Sequence, residues 1–307
     1  MSVSVAGRRN IIADCDAAGD DTLAVLALAG DIVAITVADT GLAHAMQGAK
    51  NMASLMHSIS RSVEVAYSTH PTMLGNKSFP EPWRERVDKV TVMPFSETGL
   101  QAPRDNAVEL IISHLQKTIE KITLLCTGPL TNIAHVLRKE PALKNKIADI
   151  YIMGGAIDVP GNAQIGGSDV AEWNFFADPQ AASIVLGSGA PIKLMPLDCT
   201  NKLPVTQEFV TRLRASGKTE TAKRALQILE SDHVQRLIQK NDYYFWDPAA
   251  AMSVREPDLL QFKKERVEVI CTSGPNFGRV VRSETGSEIS YAYDVDRKRF
   301  ETLLIEA

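Results

Sequence analysis

Acidic side chains crowd the segment from Asp14 to Asp21, which reads Asp-Cys-Asp-Ala-Ala-Gly-Asp-Asp. Four carboxylates within eight residues repel one another, so gathering them costs free energy unless a cation offsets the repulsion. Because the donors are oxygens, a hard divalent cation is the expected ligand. Taken alone, Asp20 would be an ordinary helix N-cap and Asp21 a first-turn acid, which the helix dipole favours. The whole cluster predicts a metal site, and its negative charge and missing glycine pattern argue against a dinucleotide site.

Two later segments offer further oxygen ligands. Thr127 begins a Gly-Pro turn after an apolar run, and such a turn leaves backbone carbonyls unpaired and able to face a cation. Asp247 ends an aromatic run and precedes Pro248. Each segment also has an ordinary explanation. Thr131 or Asn132 would cap the helix after the turn. Asp247 would be an N-cap before a proline at the first helical position.

A polar stretch after Met153 is suited to a sugar. It contains Asn162 and then Glu172 and Asn174, which are two residues apart and would project to one side of an extended segment. Their amide and carboxylate groups supply donors and acceptors for hydroxyl groups. Ordinary loop polarity is the alternative explanation for these side chains.

The elements that position these residues alternate between short apolar runs and longer helical patterns. Strands are predicted at residues 10–15, 32–39, 62–67, 122–126, 147–153 and 192–197. Helices are predicted at residues 20–29, 43–60, 104–121, 130–138 and 179–186, with a helical cap over 204–240. This alternation indicates βαβ units and a mostly parallel sheet, whose ligands lie beyond the carboxyl ends of the strands.

The end of the chain changes pattern. Residues 267–271, 278–283 and 291–295 predict a small β-meander before a terminal helix, and no linker or repeat divides the chain. We therefore expect an α/β fold in which residues 1–307 form a single domain. Its sheet would be open, mostly parallel and Rossmann-like, flanked by helices and accompanied by extra helices.

Composition narrows the class of partner. The net charge of −4 and dispersed basic residues argue against nucleic acid, and four scattered cysteines suit neither a zinc site nor a disulfide framework. The N-terminus has no apolar signal region, and no run approaches the roughly 18 apolar residues of a membrane helix. We expect a cytoplasmic protein with neither nucleic acid nor membrane as partner.

Taken together, four motifs resemble those of the nucleoside hydrolase family, the inosine-uridine preferring superfamily, and occur in the same order. They are DCDAAGDD, LLCTGPLTNIA, IMGGA with the following GN and AEWNFFADPQAA, and FWDPAAA. The resemblance spans residue 10 to about residue 254. It implies hydrolysis of the N-glycosidic bond of a ribonucleoside with Ca2+ as cofactor, by a homodimer or homotetramer.

Position by position, the resemblance also implies roles. Calcium ligands would be the carboxylates of Asp16, Asp21 and Asp247 and the backbone carbonyl of Thr127. Asp16 would also be the catalytic general base toward a calcium-bound water, and Asp14 a supporting acid behind the ligands. The residues that bind ribose would be Asp20, Met153, Asn162, Glu172 and Asn174.

The residue before Asp247 bears on which base leaves. Broad or pyrimidine-accepting members carry a histidine there, whereas this chain has Trp246, and no histidine lies in the other motifs. That is similar to the purine-specific inosine-adenosine-guanosine branch, in which two tryptophans sandwich the base. Trp83 is the expected second tryptophan, unless it merely covers the core, and Asp39 a candidate partner for the purine edge. Stacking favours a protonated purine, so solvent could supply the proton.

One departure and three alternatives remain open. Purine-specific members carry an asparagine near Ala18, so its absence leaves the choice among inosine, guanosine and adenosine undecided. The alternatives are a broad-specificity nucleoside hydrolase, a non-catalytic calcium-dependent nucleoside-binding protein, and a haloacid-dehalogenase-type phosphatase. In the phosphatase, Asp14 would be the nucleophile and Asp16 the acid, with magnesium bound.

Overall fold

The computed structural model describes residues 9–74, 79–90, 101–163 and 170–307. Its strands are β1 (Ile11–Cys15), β2 (Ile32–Ala38), β3 (Glu64–Ser68), β4 (Arg104–Asp105), β5 (Ile122–Cys126), β6 (Ile147–Met153), β7 (Ile192–Met195), β8 (Leu260–Val269), β9 (Val280–Arg282) and β10 (Ser287–Val295). Its first seven α-helices are α1 (Gly19–Ala27), α2 (Ala45–Ser58), α3 (Glu81–Val90), α4 (Ala107–Lys117), α5 (Thr131–Lys139), α6 (Trp173–Ala177) and α7 (Pro179–Leu186). The remaining ones are α8 (Leu197–Thr200), α9 (Gln207–Ser216), α10 (Glu220–Leu229), α11 (Asp232–Gln239), α12 (Trp246–Arg255) and α13 (Arg297–Glu306).

All ten strands join one sheet in the order β4-β3-β2-β1-β5-β6-β7-β10-β8-β9. Pairing is parallel from β4 through to β10, and antiparallel where β8 meets β10 and β9. The predicted α/β fold with a mostly parallel sheet is confirmed. We propose that the whole chain is one domain.

Strand β1 shows why the sheet is covered on both faces. All five of its residues are buried, and they are apolar except Asp14. Ile11 and Ala13 belong to one hydrophobic core and Ile12 to a second, because successive side chains point to opposite faces of a strand. Residues of α1, α2 and α12 lie in the first core, and residues of α4, α5 and α7 in the second. Helices therefore flank the sheet as expected.

Three local predictions differ from the structure. The three late strands do not form a simple meander, because β10 lies between β7 and β8 instead of beside β9. No helix or strand was predicted between the strand at residues 62–67 and the helix at residues 104–121, yet helix α3 lies there; residues 75–78 and 91–100 lie outside the described residues. The segment of Glu172 and Asn174 is not extended but begins helix α6. Along the described chain, no helix has the length and apolar character needed to cross a membrane.

The sheet also determines where a ligand binds. From β1 the chain proceeds through β2, β3 and β4 toward one edge, and from β5 through β6 and β7 toward the other. The carboxyl ends of β1 and β5 therefore flank the point at which the strand order reverses. Open α/β sheets bind ligands in the crevice at such a point.

Candidate active site

A cavity of about 490 Å³ lies at this crevice. Its polar floor comes from the segments after β1, β5 and β6 and from the starts of α6 and α12. Its remaining wall is largely aromatic and apolar. The lining residues on the polar side include Asp16, Asp20, Thr127, Met153, Asn162, Glu172, Asn174 and Asp247. Those on the other side include Phe79, Trp83, Arg86, Val87, Trp173, His233, Val234, Leu237, Tyr243 and Trp246.

Asp16 is held by close backbone packing between two loops. The N–H of Leu42 donates to its carboxylate at 2.9 Å. A Cβ at Gly41 would lie 2.1 Å from the Cβ of Asp16, and a Cβ at Gly128 would lie 2.9 Å from it. Both loops approach so closely because these two positions lack a side chain. Ala17 then turns the chain into α1 with a positive φ of 59°. Asp16 is 5% exposed and lines the cavity.

Three carboxylates meet where α1 packs beside α12. Oxygens of Asp20, Asp21 and Asp247 lie within 4.8 Å of one another. The carboxyl group of Asp16 also contacts that of Asp21. Asp21 is further bound by the N–H of Ala18 at 2.7 Å and by the Thr127 hydroxyl at 2.5 Å. Ala18 is thus the N-cap of α1 and Asp21 accepts its N–H from within the first turn, so the N-cap explanation for Asp20 is wrong.

Electrostatics of this cluster suit a cation. Burial, and then the neighbouring Asp16 carboxylate, raise the pKa of Asp20 to about 7. Burial and neighbouring carboxylates raise the pKa values of Asp21 and Asp247 well above their ordinary range. These charges repel one another across a buried site that presents only oxygen donors. A hard divalent metal fits this donor set and would remove the repulsion.

Asp247 lies in the first turn of α12, whose N-cap is Phe245. The N-cap explanation for Asp247 is therefore wrong, and its side chain is available to the cluster. Similarly, Leu130 precedes α5 as its N-cap, so neither side chain predicted to cap this helix does so. The Thr131 hydroxyl instead donates to Asp178 at 2.8 Å, and the Asn132 amide donates to Asp14 at 2.8 Å.

Asp14 lies behind the site, not in it. It is 2% exposed, and its carboxylate accepts hydrogen bonds from Thr36 at 2.6 Å and from Asn132 at 2.8 Å. Burial raises its pKa to about 7, although both hydrogen bonds oppose the rise. The carboxylate joins β1 to β2 and α5 and does not line the cavity. A phosphatase nucleophile must reach its substrate, so this position argues against the phosphatase alternative.

The predicted ribose residues converge on the polar floor. The Asn174 amide donates to the backbone carbonyls of Thr127 and Met153, each at 3.3 Å, and so connects the ends of β5 and β6. Glu172 is the N-cap of α6 and accepts from the N–H groups of Asn174 and Gly155, both at 2.9 Å. Burial raises the pKa of Glu172 to about 7. Asn162 accepts from the N–H of Trp173 at 3.0 Å, which directs this side chain to the same cavity.

Both tryptophans predicted to stack a base lie on the cavity wall. Trp83 projects from α3 and is 41% exposed, and its ring meets that of Trp173 edge-on at 5.4 Å. Trp246 begins α12 and packs against Tyr243 and Tyr244. Within the described residues, its buried indole N–H has no hydrogen-bond partner.

The geometry does not support Asp39 as a partner of the purine edge. Its carboxylate forms an ion pair with Arg84 at 3.0 Å and accepts from the N–H of Ala45 at 3.1 Å. In the part of the chain that the structure describes, Asp39 does not line the cavity. The side chain fastens α3 to the loop after β2 because Arg84 also donates to the carbonyl of Ala43.

Sequence reasoning missed several residues of the wall. Trp173 stood within a quoted motif but received no role; it stacks on Phe79 at 4.8 Å. Helix α11 was assigned to a cap beside the sheet, yet His233, Val234 and Leu237 line the cavity. Their spacing of one and three residues places them on one helical face, which was the available signal.

The comparisons with known proteins agree on a family. The model of the inosine-uridine preferring nucleoside hydrolases matches residues 11–302. The pyrimidine-specific ribonucleoside hydrolase RihB of Escherichia coli (strain SE11) is 30% identical over 302 residues, which cover 91% of this chain and 88% of that protein. The structure of an inosine-uridine preferring nucleoside hydrolase from Bacillus anthracis aligns with a TM-score of 0.85 and 27% identity, covering 97% of this chain and 98% of that one.

A purine-preferring ribonucleoside hydrolase from Gardnerella vaginalis aligns with a TM-score of 0.80 at 24% identity, covering 97% of each chain. At that identity the likeness is one of fold. The resemblance carried by the four sequence motifs is nevertheless confirmed, since the matching family model extends over nearly the whole chain. The chain belongs to the inosine-uridine preferring nucleoside hydrolase family.

Proposed function

We propose that this nucleoside hydrolase acts on purine ribonucleosides and releases the free base and ribose, with calcium bound at the acidic cluster. One observation carries the proposal: a single cavity is lined both by buried carboxylates and by three tryptophans. A ribose and its flat base need these two environments side by side.

Asp16, Asp21 and Asp247 would hold the metal through carboxylates, and Thr127 through its backbone carbonyl. The close approach of the Asp21 and Asp247 oxygens supports this set, as does the hydrogen bond from Thr127 to Asp21. Bound calcium would lower the pKa of water and bind hydroxyl oxygens. Its oxygen preference and flexible coordination suit a carboxylate cluster of this kind.

Asp16 is the proposed general base. It lies at the end of β1 on the cavity surface and accepts a proton from the water that attacks the anomeric carbon. The bond between that carbon and the base nitrogen breaks, and its electron pair leaves with the base. The sugar passes through an oxocarbenium-like state, which the surrounding carboxylates stabilise.

Ribose recognition is assigned to the polar floor. Asp20, Asn162, Glu172 and Asn174 present carboxylate and amide groups to the cavity, and Met153 contributes an apolar contact. These buried groups would lose their partners if a hydroxyl were absent. The site should therefore discriminate strongly against deoxyribose.

Purine preference rests on the aromatic wall. Trp83 and Trp246 would stack the base, and Trp173 supports Trp83 edge-on. Stacking against indoles stabilises a large, positively polarised base better than a small one. The similarity to a pyrimidine-specific relative favours broad specificity as the second candidate.

The test is ribose release from inosine, guanosine, adenosine and uridine, with and without a calcium chelator. We expect rapid cleavage of a purine nucleoside without added phosphate, slow cleavage of uridine, and loss of both on chelation. Calcium should restore the activity. Uridine cleavage as fast as inosine cleavage would establish the broad-specificity alternative, and unchanged activity after chelation would refute the metal assignment.

Two further assignments belong to this proposal. We propose a cytoplasmic location because all four cysteines are free thiols, which a reducing compartment maintains. We also propose a homodimer or homotetramer, as the family resemblance implies. Light scattering of the purified protein measures the second of these directly.

A further inference from the structure

Two helices outside the sheet contribute to the lining of the cavity that contains the carboxylates. Helix α3 contributes Trp83, Arg86 and Val87, and α11 contributes His233 and its neighbours. Residues three and four apart on α3 share one face, so this face is directed into the cavity. If ribose occupies the carboxylate floor, the base lies between these helices.

His233 is the only histidine among the described residues that line the cavity. It is partly buried, and no described residue forms a hydrogen bond or ion pair with its imidazole. A partly buried imidazole with unused nitrogens at a ligand cavity is available to a ligand. The other five histidines do not line this cavity. His44, for example, pairs with Asp88 and Glu81.

Arg86 and Tyr243, which line the same cavity, are poor proton donors. Arg86 has a guanidinium that stays protonated in proteins. Burial, followed by the charges of Asp20 and Asp247, raises the pKa of the Tyr243 hydroxyl well above its ordinary value. An imidazole is the side chain that exchanges protons near neutral pH.

Building on the proposed function, we propose that His233 donates a hydrogen bond and then a proton to the purine base as it leaves. The imidazolium N–H gives its proton to a ring nitrogen of the base while the glycosidic bond breaks and its electron pair moves to the base. Asp16 takes up a proton from the attacking water, so protons and charge balance. Trp246 stands where other members carry a histidine that can protonate the base. We therefore assign the proton donor to His233 on α11 and no longer to solvent.

The surroundings of His233 define a pH dependence. Burial, then the positive charges of Arg86 on α3 and Arg236 on α11, lower the pKa of the imidazole below its ordinary value. Asp242 and Tyr243, which precede α12, line the same cavity. An acid must be protonated to act, so kcat/KM should fall as the pH rises through the lowered pKa. That limb of the pH profile should vanish when the imidazole is removed.

Comparing two substrates shows whether His233 acts as an acid or only packs against the base. Inosine needs a proton on its leaving base, whereas 4-nitrophenyl β-D-riboside releases a stable phenolate that needs none. For His233→Gln we expect a loss of about 100-fold in kcat/KM on inosine, at the lower end for a general acid. The loss on the nitrophenyl riboside should be no more than about 3-fold. His57→Gln, on the exposed surface of α2, is the matched control and should change neither rate.

His233→Ala is a second variant, which shows whether the glutamine side chain itself causes the loss. It should also lose much more activity on inosine than on the nitrophenyl riboside. Equal losses on both substrates, or wild-type rates on inosine, would overturn the assignment, as would an unchanged pH profile. The wild-type rates separate this inference from the proposed function. If wild-type protein cleaves no purine nucleoside, both fail; if it does and His233→Gln matches it, only the histidine assignment fails.

Discussion

The carboxylate floor and the helical wall of the cavity are built in different ways. On the floor, side chains follow strand ends and are fixed by hydrogen bonds, as when the Asn174 amide bridges the carbonyls of Thr127 and Met153. On the wall, Trp83, Trp173 and Trp246 are held by ring contacts, and the indole N–H of Trp246 has no partner among the described residues. Directional hydrogen bonds therefore hold the floor, whereas ring contacts hold the tryptophans of the wall.

This difference suggests a division of labour. A floor fixed by the sheet suits chemistry and sugar recognition, which require accurate placement of charges. A wall of helices outside the sheet can change its side chains without disturbing that placement. Members of one family could then share a reaction while differing in the base they accept.

The largest expected effect tests the floor. Asp16→Asn keeps the size of the side chain but removes the proposed base, so kcat on inosine should fall by about 10⁴-fold. Because it also removes one of several repelling charges, the metal-free variant should melt no lower than the wild type. Steady-state kinetics measure the loss of kcat, and thermal melts measure the stability of the metal-free variant. Substantial activity in a folded variant would assign the base to another residue.

A comparable loss of activity is expected for the wild-type protein when the substrate lacks the 2′-hydroxyl group. Cleavage of 2′-deoxyinosine should be about 10⁴-fold slower than cleavage of inosine in kcat/KM, because buried floor groups would lack a partner. The control is arabinosyl hypoxanthine, which keeps a hydroxyl in the wrong configuration. If deoxyinosine and inosine are cleaved at similar rates, the ribose assignments of Glu172 and Asn174 are wrong.

The same contrast explains how far the sequence could predict the site. Asp16 and Thr127 directly follow β1 and β5, so the local pattern was enough to place them together at the carboxyl ends of the strands. Helices α3 and α11 are far apart in the chain and meet only through tertiary packing. The spacing of His233, Val234 and Leu237 indicates a shared helical face, but nothing local indicates that this face lines the cavity. Asp39 had the right position after β2, but Arg84 binds its carboxylate, which no pattern in the sequence indicated.

The wall is tested by Trp246→Ala and Trp246→Phe. Losing one stacking partner costs about 1–3 kcal/mol, so the alanine variant should lose about 10- to 100-fold in kcat/KM on inosine. Phenylalanine keeps a ring and should recover most of that loss. Activity on the nitrophenyl riboside, measured in parallel, shows whether the neighbouring Asp247 has been disturbed. Equal inosine rates for the two variants would remove the stacking argument.

A smaller effect concerns the metal and pH. The pKa values of Asp20 and Glu172 are raised to about 7, so the metal-free native state binds more protons than the unfolded state between about pH 4 and 7. Its stability should therefore fall as the pH rises through that window. Calcium at about 100 times its Kd should raise Tm by about 5 °C at pH 8, and by less at pH 5 because protons compete for the carboxylates. Calorimetry with magnesium as the control measures both trends.

The smallest effect is expected at Asp39, where the ion pair with Arg84 fastens α3 to the loop after β2. Asp39→Asn should leave the ratio of inosine to uridine cleavage within about 2-fold of wild type, because the carboxylate does not face the cavity. Any larger change in this ratio should also appear in Arg84→Lys, because loosening the same ion pair moves α3 and with it the stacking residue Trp83. Arg84→Lys, which disturbs the same contact from the other side, should behave alike. If Asp39→Asn alone loses activity selectively on inosine, Asp39 contacts the purine edge after all. The base-binding wall would then include the loop after β2 as well as the helices.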